Sequence, residues 1–502
     1  MPRPDLNPIQ PPTMNSDVIP PPSMKRPRTI VLCFDGTGDH FDEANSNVIN
    51  LFSLLQKDDH HEQVVYYQAG IGTYNKNRHF VGPIGTKILR YTDEAIAWSL
   101  DGHVMDGYTF LMNKYQAGDK ICFFGFSRGA YTARSLAGMV HKVGLLPAGN
   151  EEQVPFAYKM YKRSDSVGWK QSVAFKKAFS IDVDIEFVGV WDTVGSVGLT
   201  SRRLPFVSSN SAIRYFRHAV SLDERRAKFK ANLYNRPTEE EDKLGVQPGE
   251  MPKSGGATPS LVTLVKKWQS RKSETQVEEE EQAREESRFS RQDYNTLHTD
   301  VREVWFAGTH GDVGGGCVPN DTRHNLARIP LRWMVRECFK TNTGIRFHAS
   351  LLRKIGLDPE SLYPIVKDRP PPLFAPITDA TSRKPTHTRT DTGISVKTLV
   401  DKNLSEEEED LQDALCPIFD QLKLSKAWWI LEVLPLVQRY QREDNDQWVE
   451  APVINRGHGR VVPKKPPFYV HRSVKIRQEA QGLPGGPYRS AATFDVEPTY
   501  VD

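Results

Sequence analysis

The chain has 502 residues and a formal net charge of +3, from 66 Lys and Arg against 63 Asp and Glu. That length accommodates two or three domains, or one large α/β domain with insertions, and is enough to bury a sizeable core. Near-balanced charge argues against a dedicated nucleic-acid binder, which carries a clear basic excess. The hydrophobic fraction of 38% is low for a compact enzyme and reads as a core diluted by polar tails and loops. Cys33, Cys122, Cys317, Cys338 and Cys416 form no C-x-x-C pair. They give no metal signature and suit a reducing compartment. Residues 1–27 lack an apolar signal core, and no run approaches the roughly 20 apolar residues of a membrane span. A cytoplasmic protein without a transmembrane segment is expected, with peripheral membrane contact left open.

In chain order, Pro11-Pro12 and Pro20-Pro21-Pro22 make residues 1–27 an expected disordered tail. Thr29-Ile30-Val31-Leu32-Cys33-Phe34 reads as a buried strand feeding the tight loop Asp35-Gly36-Thr37-Gly38. Residues 45–57 have helical spacing, and Val64-Val65-Tyr66-Tyr67 forms a second strand. A helix over 92–117 precedes a third strand, Lys120-Ile121-Cys122-Phe123-Phe124, and another helix is expected from about 130 to 140. Strands four and five are Ile185 to Trp191 and Val301 to Ala307. Alternating strands and helices imply a mostly parallel sheet with both faces covered. Residues 236–298, with acidic clusters and Gly255-Gly256, read as a solvated charged insertion holding at most a short helix at 261–268, and 366–395 as a loop. Helical patterns resume at 409–440. The expected organisation is a catalytic domain over 28–350 and a helical and loop extension over 351–502.

Three of these strands end in a chemically reactive residue. In open α/β sheets, sites lie at the carboxyl ends of strands. Ser127 sits in Gly125-Phe126-Ser127-Arg128-Gly129, between a hydrophobic strand and a helix. That is the setting of a nucleophile elbow, so the fold class expected is α/β, of the α/β-hydrolase type. A serine hydroxyl needs a base to take its proton, held in turn by a carboxylate, and the order in this fold is Ser, Asp or Glu, then His. Asp192 and His310 satisfy it. His218, on an apolar pattern with helical spacing, reads better as a core histidine, and His471 is a later rival. Asp312 competes with Asp192 for the acid role but reads as a loop-stabilising group. Asp223 and Glu224, beside Arg225 and Arg226, read as a solvated face or a local ion pair. The oxyanion donors expected are the Arg128 and Gly36 amides. Asp35, Thr37 and Arg134 are candidate substrate-binding residues, Arg134 for an anionic head group.

Taken together, Phe34-Asp35-Gly36-Thr37-Gly38, the Ser127 elbow through Arg134, Trp191-Asp192-Thr193-Val194-Gly195, His218 to Arg226, and His310-Gly311-Asp312-Val313-Gly314-Gly315-Gly316 resemble a known family. It is the α/β-hydrolase domain long catalogued as a domain of unknown function, whose bacterial relatives include the type VI secretion phospholipase effectors. The resemblance covers roughly residues 28–340. Trp428-Trp429 and His471-Arg472-Ser473-Val474 look like the tail of fungal members. It implies a triad of Ser127, Asp192 and His310 and a lipid acyl ester as substrate. The expected activity is therefore ester hydrolysis through an acyl-enzyme, with no metal or organic cofactor. The substrate is a small-molecule or lipid ester, and no nucleic acid is involved. Two other readings stand beside it. One is phosphoryl transfer through Asp35, which lacks the usual second Asp at position 37. The other is a catalytically silent binding protein that keeps the fold.

Overall fold

A computed structural model describes residues 17–21, 27–70, 94–195, 204–208, 210–234, 251, 299–374, 404–441, 448–464, 467–481, 483 and 486–502. Apart from residue 251, the insertion read at 236–298 lies outside the described residues, as does most of 366–395.

The strands of the main sheet are β1 (Thr29–Phe34), β2 (Gln63–Gln68), β3 (Lys120–Phe126), β4 (Ile185–Trp191), β5 (Ile213–Ser221), β6 (Asp300–Phe306), β7 (Phe468–His471) and β8 (Pro498–Val501). They run in the order β8-β7-β6-β5-β4-β3-β1-β2, and every neighbouring pair is parallel. A parallel sheet must be covered on both faces. β1 shows how the sequence achieves this. All six of its residues are buried; Ile30, Leu32 and Phe34 join one hydrophobic cluster, and Val31 and Cys33 join the other. Alternate side chains thus feed two separate cores across one backbone.

On the first face pack α2 (Glu94–Lys114), α3 (Ser127–Val143), α4 (Val154–Lys162) and α5 (Ser166–Phe179), through Val104, Leu136, Ala157 and Tyr161 among others. On the second pack α1 (Asn47–Leu54), the short α6 (His310–Gly314), α7 (Arg328–Lys340) and α8 (Ala349–Lys354), through Leu51, Val313, Met334 and Leu352. The α/β architecture expected from the alternation is therefore present.

Some local expectations change. The segment holding His218 is strand β5, not a helix. The spacing of Ile213, Phe216 and Val220 mimics a helix, but a strand buried on both faces loses its period-two signal. Residues 409–440 break into helices Glu406–Ala414, Gln421–Leu424 and Trp429–Glu432 and then a strand, Pro435–Gln441, that pairs antiparallel with Trp448–Ile454. Within the Pro-rich tail, Val18–Ile19 pairs with Phe347–His348, and Ile19 is buried. The C-terminal extension does more than pack against the sheet, because it supplies β7 and β8.

Candidate active site

Register places the site. Phe126 at the end of β3 is level with Trp191 at the end of β4, and Trp191 with Ala219 on β5. Ser127 and Asp192 therefore leave neighbouring strands side by side, at the carboxyl edge of the sheet. Both adopt left-handed backbone, with φ of 58° at Ser127 and 42° at Asp192. A non-glycine residue there costs about 1–3 kcal/mol, which the surrounding fold must impose. At Ser127 the strain turns β3 sharply into α3, so the hydroxyl stands at the helix N-terminus, where developing negative charge is favoured. The two elbow glycines are required by contact. A Cβ on Gly125 would lie 2.6 Å from the Gly129 carbonyl oxygen, and one on Gly129 would lie 2.2 Å from that of Asp35. Gly129→Ala is expected to lower stability by about 3 kcal/mol or more, because rigid backbone cannot yield as a side chain does; chemical denaturation would read it directly.

Asp192 is fully buried. Its Oδ2 lies 2.5 Å from His310 Nδ1. Oδ1 accepts the Ser221 amide at 2.9 Å. An ionised carboxylate only accepts, so His310 carries its proton on Nδ1 and presents the Nε2 lone pair outward. Burial pushes the His310 pKa below its ordinary value, against the pull of Asp192, so the imidazole is neutral and able to act as a base. The ring is wedged between two aromatics, with centroids 4.6 Å from Phe126 and 4.8 Å from Phe229. Since Phe126 precedes Ser127, that stacking holds the imidazole beside the elbow. Gly314 makes the approach of α6 possible, because a Cβ there would fall 1.8 Å from the Phe126 ring. Among the described residues no hydrogen bond joins Ser127 Oγ to His310. Such contacts are often long before substrate binds.

One site residue was missed by the sequence reading. Arg460 donates from Nη1 to Asp192 Oδ1 at 2.5 Å and from Nη2 to Oδ2 at 2.8 Å. Its remaining donors reach the Ser221 hydroxyl and the Phe229 carbonyl. Despite burial, this guanidinium holds the Asp192 carboxyl far below the usual carboxylate range. Nothing local marks Arg460. It is one arginine in a loop, 268 positions beyond the carboxylate it clamps.

The Asp35 loop corrects several expectations. Asp35 is buried with both oxygens engaged: Oδ1 accepts the Ser46 hydroxyl at 2.6 Å and the Gly36 amide at 2.8 Å, and Oδ2 accepts the Tyr67 hydroxyl at 2.8 Å. Asp35 is thus a loop anchor rather than a substrate ligand, and the Gly36 N–H is turned away from oxyanion duty. In contrast, Thr37 Oγ1 is buried without a hydrogen-bond partner. Arg134, expected to meet an anionic group, is buried with its guanidinium on the Val207, Asn232 and Leu233 carbonyls. It ties together the segments before and after β5. Arg128 is buried too, and its amide lies in the first turn of α3, where N–H groups point out of the helix end.

The rival bases and acids are placed elsewhere. His218 is buried; it accepts the Thr193 amide at 3.0 Å and faces Glu303 at 2.8 Å, so it steadies the turn after Asp192. His471 stacks on Phe306 and bonds Ser473, with burial pushing its pKa down to about 3. Asp312 caps its own helix by accepting the Thr309 and Phe419 amides, and burial raises its pKa to about 6. Asp223 and Glu224 are buried rather than solvated. Asp223 accepts the Gly308 amide, and Glu224 pairs with Arg226 and reaches the His310 amide at 3.3 Å. The His324, Glu409 and Asp413 group has metal-donor chemistry. Arg323 and Arg332 already pair with its carboxylates.

The family model described as "T6SS, Phospholipase effector Tle1-like, catalytic domain" matches residues 28–337. The chain belongs to that family. An uncharacterized protein of Saccharomyces cerevisiae is 30% identical over 535 residues, spanning 87% of this chain and 77% of its own length. Two solved structures are also similar. One is an uncharacterized protein from Pseudomonas aeruginosa, at 17% identity and a TM-score of 0.31 over 66% of this chain and 48% of that one. The other is the Tle1 effector bound to the VgrG spike of the type 6 secretion system, at 18% identity and a TM-score of 0.26 over 58% of this chain and 52% of that one. The chain thus spans about half the length of those two solved chains. Ser127, Asp192 and His310 fall inside the Tle1-like catalytic domain, and Arg460 falls outside it.

Proposed function

We propose that this Tle1-like protein is a serine hydrolase of acyl esters, phospholipids included, acting through an acyl-enzyme. The observation that carries the reading is the Asp192–His310 pair, locked in one tautomer beside a serine held at φ 58° on a helix N-terminus. His310 Nε2 takes the Ser127 proton as Oγ attacks the ester carbonyl. The same nitrogen then returns a proton to the leaving alcohol, and water repeats the cycle on the acyl-enzyme. Asp192 keeps Nδ1 protonated and stabilises the imidazolium as it forms.

The oxyanion is held by the Arg128 amide and by Thr37. Thr37 replaces the Gly36 amide, which Asp35 occupies. A buried hydroxyl with no partner gains most when a charged oxygen arrives. Thr37→Val is expected to lower kcat on the order of 100-fold with little change in KM, as for loss of one oxyanion donor. Thr37→Ser is expected to keep most of it. Steady-state kinetics on p-nitrophenyl butyrate would test this, and equal kcat for all three proteins would remove Thr37 from the site. Phosphoryl transfer through Asp35 has no support in the geometry, since three donors already occupy its oxygens.

The reading is tested by labelling purified protein with a fluorophosphonate and mapping the modified peptide. Label on Ser127, together with release of fatty acid from phosphatidylcholine vesicles, is expected. No label and no ester turnover would leave a silent binding protein.

A further inference from the structure

The geometry points to Arg460 as a positioning residue through which the C-terminal extension sets the pH range of the site. Catalytic domains of this type place the serine, acid and base on one sheet. Here the acid is also gripped from outside that unit, by a segment that follows the Pro435–Gln441 and Trp448–Ile454 hairpin. The grip is built, not incidental. Arg460 is 2% exposed and Asp192 0%. Every donor direction of the guanidinium is used: both carboxylate oxygens, the Ser221 hydroxyl and carbonyl, and the Phe229 carbonyl.

The consequence follows from charge. Oδ2 of Asp192 is shared between Arg460 Nη2 and His310 Nδ1. A carboxylate already neutralised by a buried guanidinium stabilises an imidazolium less than an unshared one does. The arginine also opposes the positive charge directly, on the far side of a single oxygen atom. Arg460 therefore keeps His310 unprotonated to lower pH, while its two-point hold fixes the carboxylate plane that orients the ring. The other groups around His310 are fixed in number and sign. Glu224 and Arg226 form an internal pair in the segment after β5. Lys228 and Arg128 lie near one another on the elbow side. The Lys230 ammonium sits on the His458 and Gly459 carbonyls, and Asp312 caps α6. None of these bonds Asp192, so removing Arg460 changes its charge balance most.

The test reads His310 itself, in full-length protein carrying Ser127→Ala and labelled at histidine. His310 is assigned by difference against His310→Gln, and its carbon chemical shift is followed against pH. In this background the midpoint is expected below 6.5, the ordinary value. Arg460→Met is expected to raise it by about one unit or more, the size of shift caused by a neighbouring charge. Arg460→Lys keeps the charge and loses the fork, so its midpoint should stay near the parent's. In active protein the acid limb of kcat/KM should move up in the Met variant alone, and kcat/KM should fall in both. A merely structural arginine would lower activity in proportion to folded protein and leave both midpoints where they were. An unshifted His310 in folded Arg460→Met overturns the inference. If that variant does not fold, a parent midpoint at or above 6.5 overturns it, as does a Lys variant that shifts as far as loss of charge would. The titration needs no turnover. Its failure is therefore separable from failure of the hydrolase reading, on which only the kinetic arm rests.

Discussion

Ser127→Ala is expected to lower kcat/KM for acyl esters by a factor on the order of 10⁴ to 10⁶, the range seen when the nucleophile of a serine triad is removed. The loss is large because no neighbouring group can replace the hydroxyl. Water in its place would lack both the helix N-terminus and the strained turn that present Oγ. Stability should change by no more than about 1 kcal/mol, since Oγ anchors nothing in the free protein and alanine fits the space. Thermal unfolding and fluorophosphonate labelling of the two proteins separate these effects. Unaltered turnover in the alanine protein would move the nucleophile elsewhere.

Asp192→Asn is expected to cost about 10⁴-fold in kcat, and for a different reason. An amide offers one acceptor and one donor group where the site requires two acceptors. If the NH2 faces His310, it forces the proton onto Nε2 and the ring cannot act as a base. If it faces the Ser221 amide instead, two donors confront each other. In either orientation Arg460 meets an N–H where it had an oxygen. Breaking one side of a buried ion pair costs about 3–5 kcal/mol, so this variant should also be markedly less stable. The pairing of the two readouts is diagnostic: Ser127→Ala loses activity alone, and Asp192→Asn loses both. An Asp192→Asn protein as stable as the parent would mean that Arg460 is not bound as described. The carboxylate contribution is present at neutral pH and disappears on acidification. The folded Asp192 carboxyl has a depressed pKa, so its stabilisation is complete above the unfolded value of about 3.9 and is lost as pH falls through the folded one.

The parts of the site that were legible in the sequence are those made by neighbours in the chain. Lys120 to Gly129 writes a strand, a turn that needs two glycines and a helix within ten residues. Hydrophobic runs ending in Asp192 and before His310 gave their own strand ends. The structure brings that Asp and His within 2.5 Å. Where the reading failed, a side chain's role depended on what folded against it. Arg134 follows the elbow and looks poised for an anion, yet the Val207 carbonyl before β5 and the Asn232 and Leu233 carbonyls after it claim it. Gly36 looks like an open amide, yet its own neighbour Asp35 is locked by Ser46 and Tyr67 in the position that captures it.

The sequence by itself determined the α/β order and the strand ends that carry Ser127, Asp192 and His310, because periodicity and turn chemistry act over a few residues. Only the tertiary structure decided that residues beyond 460 complete the sheet, that the Gly36 amide is bonded to Asp35 while the Thr37 hydroxyl is left without a partner, and that a distant arginine grips the carboxylate. Those outcomes are set by which buried polar groups find partners when remote segments close on one another. Pairing of that kind leaves no mark on the residues until the chain is folded.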